Sequence, residues 1–207
     1  MCRCYIITSY IDGDPSVLIE RSETDYVICA DNGYCHGILH GILPDVIIGD
    51  FDSLKMDLPQ GIKVIQLPIQ KDDTDTLACV KYAINYGYKE IVIIGGIGGR
   101  LDHTLANLQC LSYGLDCGVQ IELRDAHNRV RLHLPSTISI PAEEAFFLSM
   151  FSFTETCQGV TTTGLKYPLK DALLNQSFPL GISNEFASDI ATVSFTTGKL
   201  LIILSKD

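Results

Sequence analysis

Aspartate dominates the residues of this chain that could do chemistry. Three acidic segments lie between residues 45 and 102: Gly49-Asp50-Phe51-Asp52-Ser53, Lys71-Asp72-Asp73-Thr74-Asp75-Thr76, and Gly99-Arg100-Leu101-Asp102-His103. So many carboxylates on one edge would repel one another unless a cation held them, which points to a divalent metal carrying a phosphorylated substrate. Magnesium suits the composition, because it is hard, prefers oxygen, and takes one or two carboxylates together with water and substrate phosphates. Asp50 and Asp52 are two apart just beyond an apolar run, so in extended backbone they would point to the same side and could share one ion. In the second segment Asp72, Asp73 and Asp75 fall where a helix dipole favours negative charge. Three acids and two threonines exceed what a cap requires.

The third segment adds cations. Arg100, His103 and Asn107 follow i, i+3, i+7 spacing on one helix face, away from an expected apolar stripe of Leu101, Leu105 and Leu108. A cationic, hydrogen-bonding face at a helix N-terminus is suited to phosphate. The preceding Gly95-Gly96-Ile97-Gly98-Gly99 lets backbone approach a ligand closely. A dinucleotide fingerprint fits poorly, since its third glycine falls at Leu101 and Glu122, the candidate ribose acid, lies within a strand. The chain contains no P-loop and no evident Ser-His-Asp or Cys-His pairing. His36 and His40 share a face at i, i+4 but have no third zinc ligand nearby, so they read as ordinary polar residues.

The elements that must position these side chains alternate strand and helix. Strands are expected at Cys4 to Thr8, Tyr26 to Ala30, Val46 to Ile48, Lys63 to Leu67, Ile91 to Ile94 and Val119 to Leu123. Between them come helices at Pro15 to Arg21, around His36 and His40, after Thr76 as far as Gly87, and from Leu101 to Gly114. This rhythm implies an α/β domain over residues 1–125, a Rossmann-like, mostly parallel sheet flanked by helices, with every acidic loop at a strand's carboxyl end, where such sheets bind ligands. Past the boundary at Arg124 to Arg129 strand-like runs dominate. Arg131 to Leu134, Thr137 to Ile140, Phe146 to Phe153 and Gly159 to Thr163 precede an alternating Ala191 to Thr196 run, which Thr197-Gly198 turns into Leu200 to Leu204. Residues 126–207 are therefore expected to form an antiparallel β-sandwich.

Bulk properties narrow the class. With 207 residues, 46% hydrophobic and 19% charged, the chain can bury a substantial core. A net charge of -10 argues against nucleic acid or an anionic membrane as partner, because both call for a basic face. No run approaches a membrane span and the N-terminus lacks a signal-peptide pattern, so a cytoplasmic location is expected. The eight cysteines include no C-x-x-C, and Cys29, Cys79 and Cys110 fall in apolar elements, which favours buried free thiols.

Taken together these loops resemble those of the thiamine pyrophosphokinase family. The resemblance runs through Ala30-Asp31-Asn32-Gly33, Pro44-Asp45, the three acidic segments, Gly159-Val160-Thr161-Thr162-Thr163-Gly164-Leu165-Lys166-Tyr167-Pro168-Leu169 and Gly181-Ile182-Ser183-Asn184-Glu185. It implies an ATP-binding catalytic α/β domain, a thiamine-binding β-sandwich, and a homodimer with thiamine between subunits. The implied reaction moves the pyrophosphoryl group of ATP to the thiamine hydroxyl, giving thiamine diphosphate and AMP. By this resemblance Asp50, Asp52, Asp75 and Asp102 hold Mg²⁺ and the triphosphate, and Asp31, Asp72 and Thr74 support them. Arg100, His103 and Asn107 contact the nucleotide, and Thr161, Tyr167 and Ser183 frame thiamine. Tyr167 stands where the family often has Trp, and this chain has no tryptophan. Three rival readings remain: a nucleotide-dependent kinase or pyrophosphokinase acting on another alcohol, a nicotinamide oxidoreductase, and a module that binds ATP without turnover.

Overall fold

The computed structural model describes residues 2–52, 58–70 and 72–207; Ser53 and Lys71 of the acidic segments lie outside the described residues. The chain divides into two compact units, Met1–Ala126 and His127–Asp207.

In the first unit six strands, β1 (Arg3–Ile7), β2 (Tyr26–Ala30), β3 (Val46–Gly49), β4 (Lys63–Gln66), β5 (Glu90–Ile94) and β6 (Gln120–Arg124), pair in parallel in the order β4-β3-β2-β1-β5-β6. The inner strands are buried on both faces, which is why Cys4 to Ile7 and Ile91 to Ile94 are unbroken apolar runs. The edge strand β4 is mostly exposed and carries Lys63 and Gln66. The chain builds outward from β1 through β4 and then returns to β5 on the other side of β1. The strand order thus reverses at β1 and β5, the place where an open parallel sheet leaves a crevice.

Among the described residues three helices cover this sheet: α1 (Gly33–Leu39), α2 (Asp75–Asn85) and α3 (Leu101–Asp116); the expected helix at Pro15 is a single 3-10 turn, Pro15–Leu18. Helix α2 starts where expected, with the Thr74 hydroxyl accepting the Leu77 N–H at 3.2 Å. Gly87, at φ +92, follows its C-terminus. Helix α3 departs from the expected stripe. Leu101 and Leu105 are 72% and 55% exposed, and the buried face is Asn107, Cys110, Leu111 and Gly114. The reason is close approach: a Cβ on Gly114 would lie 2.5 Å from Ile121 Cδ1, so the helix meets β6 through its small residues.

The second unit is a β-sandwich. One sheet holds β7 (Asn128–His133), β13 (Leu200–Ser205) and β9 (Phe147–Ser152), with β13 in the middle and antiparallel to both neighbours. The other is β11 (Ala172–Asn175), β10 (Thr156–Thr163), β12 (Ile190–Ser194) and β8 (Thr137–Pro141), in that order. Leu148, Met150, Leu200 and Ile202 of the first sheet pack with Cys157, Val160, Ala191 and Val193 of the second. A short turn such as Thr197-Gly198 between two strands commonly closes a hairpin. This one does not: β12 pairs with β8 and β10, whereas β13 pairs with β7 and β9, so the turn carries the chain from one sheet to the other. Both strands bury one face in the same core, which the alternation records, but alternation carries no information about partners.

All eight cysteines are free thiols, five of them buried. Among the described residues no helix is long and apolar enough to cross a membrane.

Candidate active site

A cleft of about 340 Å³ lies at the crevice of the parallel sheet. Its walls come from four strand ends. Thr8, Ser9 and Tyr10 follow β1, and Ala30, Asp31 and Asn32 close β2. Asp73 to Thr76 lead into α2, and Gly96, Gly98, Arg100, His103 and Asn107 run from β5 into α3.

Asp31 is the most constrained of the acids. It follows the last residue of β2 at φ +46, a left-handed conformation that Asp tolerates better than most residues. Gly49 lets it fit, since a Cβ there would sit 2.7 Å from Asp31 Cα. The residue is only 8% exposed, and its Oδ1 has no hydrogen-bond partner among the described residues. Burial above all, with Asp75 and Asp50 close by, pushes its carboxyl above the ordinary carboxylate value, against the opposing pull of backbone N–H groups of Asn32 and Phe51. A buried acceptor facing two further acids is a place where a cation would be stabilising.

Asp75, the first residue of α2, and the capping Thr74 both line the cleft. So does Asp73, whose carboxylate accepts from Lys81 Nζ at 2.6 and 2.8 Å. Asp72 is exposed and outside these walls. Asp50 follows β3 within electrostatic reach of Asp31. The extended geometry expected for Asp50 and Asp52 does not hold: Phe51 adopts φ +59 and turns its ring into the core of the unit. Asp52 is consequently exposed, its N–H donating to Asp50 Oδ1 at 3.4 Å.

Arg100 and His103 reach the cleft as their spacing suggested. Asp102 stands outside its walls, forked by Arg100 at 2.6 and 3.1 Å, and this pairing holds its carboxyl below the ordinary value. Asn107 is buried and spends its amide on the loop, donating from Nδ2 to Gly96 O at 2.9 Å. On the loop's other side Gly96 N donates to Tyr10 O at 2.8 Å, and the Thr8 hydroxyl lies 3.0 Å from both Tyr10 O and Ile94 O. The glycines are needed, as a Cβ at Gly96 would fall 2.4 Å from Asn107 Nδ2. Sequence reasoning missed the Thr8 to Tyr10 wall, which has no charge and no motif. Its signal was positional: it follows the first strand of an alternating fold. Glu122 is ion-paired with Arg124 inside the sheet, at 2.5 Å, and not offered to a ribose.

In the β unit, Thr161 lies on β10, its hydroxyl accepting the Asp171 N–H at 3.0 Å. Tyr167 is exposed with Lys166 Nζ over its ring. Ser183, at φ +53, donates its N–H to Ser149 Oγ. Buried Asn184, which had been given no role, joins the last two. Its Oδ1 accepts the Tyr167 N–H at 3.0 Å and its Nδ2 donates to Tyr167 O at 2.7 Å.

Comparison with known proteins agrees with this division. A family model described as "Thiamin pyrophosphokinase, catalytic domain" matches residues 19–123, and one described as "Thiamin pyrophosphokinase, vitamin B1 binding domain" matches residues 136–200. The thiamine pyrophosphokinase of Bacillus subtilis is 33% identical over 173 residues, covering 81% of each chain. Its crystal structure superimposes with a TM-score of 0.89 over 99% of both chains, at 30% identity. The thiamin pyrophosphokinase structure from Geobacillus thermodenitrificans gives 0.86 at 29% identity, covering 99% of this chain and 98% of that one.

Proposed function

The chain belongs to the thiamine pyrophosphokinase family, and from that membership we propose how its residues divide the work of moving a pyrophosphoryl group from ATP to thiamine. The enzyme is a thiamine diphosphokinase: the thiamine hydroxyl attacks the β-phosphorus of ATP, the bond to the α-phosphate oxygen breaks, and thiamine diphosphate and AMP are released. Little covalent work falls to the protein in such a transfer, and the rate comes from positioning and charge stabilisation.

The reading rests above all on the buried, partnerless Oδ1 of Asp31 beside Asp75 and Asp50 in a cleft that also holds Arg100 and His103. Among the described residues no group of three His, Cys, Asp or Glu side chains is placed to hold a metal ion by itself. Mg²⁺ usually takes only one or two carboxylates together with water and substrate phosphates, so it would come in with the nucleotide. One or two of Asp31, Asp50 and Asp75 would hold it, with Asp52 and Asp102 at the rim; when bound, the ion neutralises charge on the triphosphate. Arg100 would serve the phosphates, since an exposed ion pair such as its fork with Asp102 contributes little and is readily exchanged. Thr74 and Asp72 would support the α2 end of the site, and His103 and Asn107 the nucleotide side.

Thiamine is assigned to the second unit, framed by Thr161, Tyr167 and Ser183. The match of the vitamin-binding model to residues 136–200 supports this, as does the exposed ring of Tyr167, which offers a face for stacking. Tyr167 and Ser183 are both exposed, consistent with a thiamine site completed by a second copy of the chain, and a cytoplasmic homodimer is the proposed working form.

The deciding experiment incubates purified protein with ATP, Mg²⁺ and thiamine and follows the nucleotide products. AMP appearing in step with thiamine diphosphate, and stopped by a chelator, is the expected result. ADP, or no turnover, would sink the reading.

A further inference from the structure

Tyr10 has no part in the chemistry described so far, yet it sits at the mouth of the cleft. Its backbone oxygen accepts from Gly96 N, while its ring lies on the end of the same glycine loop. A Cβ at Gly98 would be 3.1 Å from Tyr10 Cε1 and one at Gly99 would be 2.8 Å from Cε2. The ring therefore packs against the Gly98-Gly99 stretch, closely enough to leave no room for a side chain at either position. Both glycines have positive φ, +95 and +59, so the loop is bare backbone beneath the ring. The side chain is still 46% exposed.

We infer that the Tyr10 ring is the platform on which the adenine of ATP stacks, making Tyr10 a nucleotide-positioning residue. The inference rests on the cleft being the ATP site. Metal and phosphates are drawn to the charged walls, Asp31 and Asp75 on one side and Arg100 and His103 on another. The base is uncharged and has a π face. Among the described residues Tyr10 is the only Tyr, Phe or Trp on these walls. A tyrosine backed by rigid backbone presents a flat, pre-ordered surface and loses little entropy on binding. Every base has a face to stack, so the contact favours a nucleotide over a bare polyphosphate more than one base over another.

The test compares wild type, Tyr10→Phe and Tyr10→Ala in preparations whose wild type has first been shown to release AMP, which keeps this inference separable from the assigned reaction. Binding of Mg-ATP and of Mg-tripolyphosphate, which has no base, is measured calorimetrically without thiamine. Tyr10→Ala is expected to weaken ATP about tenfold, the scale of one base-aromatic stack, and to leave tripolyphosphate unchanged. Tyr10→Phe should match wild type for both. In turnover the loss should appear in the KM for ATP, with kcat and the KM for thiamine retained. Unchanged ATP binding in Tyr10→Ala would overturn the inference. So would equal weakening of both ligands, because the ring would then serve only to hold the loop. Should Tyr10→Ala fail to fold, Tyr10→Leu, which keeps apolar bulk without a flat face, is judged by the same two ligands.

Discussion

Asp31 is the side chain with most to gain from a ligand. It holds a carboxylate out of water with one oxygen unpartnered, which costs stability in the empty protein, about 1–3 kcal/mol for a buried polar group. Asp31→Asn removes the charge, keeps an acceptor for the neighbouring N–H groups, and tolerates the same positive φ. Without ligands the variant should therefore melt higher, by about 2–4 °C for each kcal/mol regained in a chain of this size. It should also need more Mg²⁺ to reach half-maximal rate. A scanning calorimetry trace paired with a Mg²⁺ titration checks both, and a lower melting temperature would show that the oxygen is satisfied. Asp75→Asn addresses catalysis directly. Loss of one charge that stabilises the transferring phosphoryl group should lower kcat by about 100-fold or more, while the KM for thiamine stays near wild type, as steady-state assays would reveal.

At the scale of elements, the glycine loop after β5 is set by its neighbours as much as by itself. Asn107 holds it from α3 and the backbone of Tyr10 from β1. Asn107→Ala leaves the Gly96 carbonyl without its partner, so the urea midpoint should fall by an amount worth about 1–3 kcal/mol, and the KM for ATP should rise as the loop loosens. The same region shows what could be read before the coordinates. Strands β1, β2, β3 and β5 and the start of α2 were legible because buried parallel strands are largely continuous apolar runs and Thr74 is a strong capping residue. The buried face of α3 was not. Leucine spacing pointed to Leu101 and Leu105, whereas the buried face is Asn107, Cys110, Leu111 and Gly114, with Gly114 close against Ile121 of β6, and the polarity or brevity of all but Leu111 hides them from a hydrophobic count. Of the residues that line the cleft, charge and spacing pointed to Asp75, Arg100 and His103, and the family resemblance to Asp31. Neither signalled the left-handed Phe51 that breaks the extended geometry expected from Asp50 to Asp52, and both were silent on uncharged Tyr10 and on Asn184, whose contacts are backbone hydrogen bonds.

For the whole molecule, stability should respond to acid in a way one histidine helps to set. His133, at the end of β7, has its pKa lowered to about 4, first by burial and then by Arg131. The folded state keeps it neutral while the unfolded chain takes up a proton below its ordinary value of 6.5. Its contribution is therefore intact above about pH 6.5 and lost as pH falls towards 4. Melting temperatures measured across that window should drop more steeply for wild type than for His133→Gln, and parallel curves would contradict this.

The placement of β13 carries a further consequence, for the order in which the protein can be made. This strand, the last of its unit to be synthesised, occupies the middle of its sheet, with Ser205 opposite both Asn128 and Phe147. Strands β7 and β9 therefore wait as unzipped edges until residues 200–205 have left the ribosome, and nascent chains short of that point expose the Leu148 and Met150 side of the sandwich to chaperones and proteases. Pairing across so long a sequence interval is slow to form, so this sheet is completed only after synthesis of its central strand.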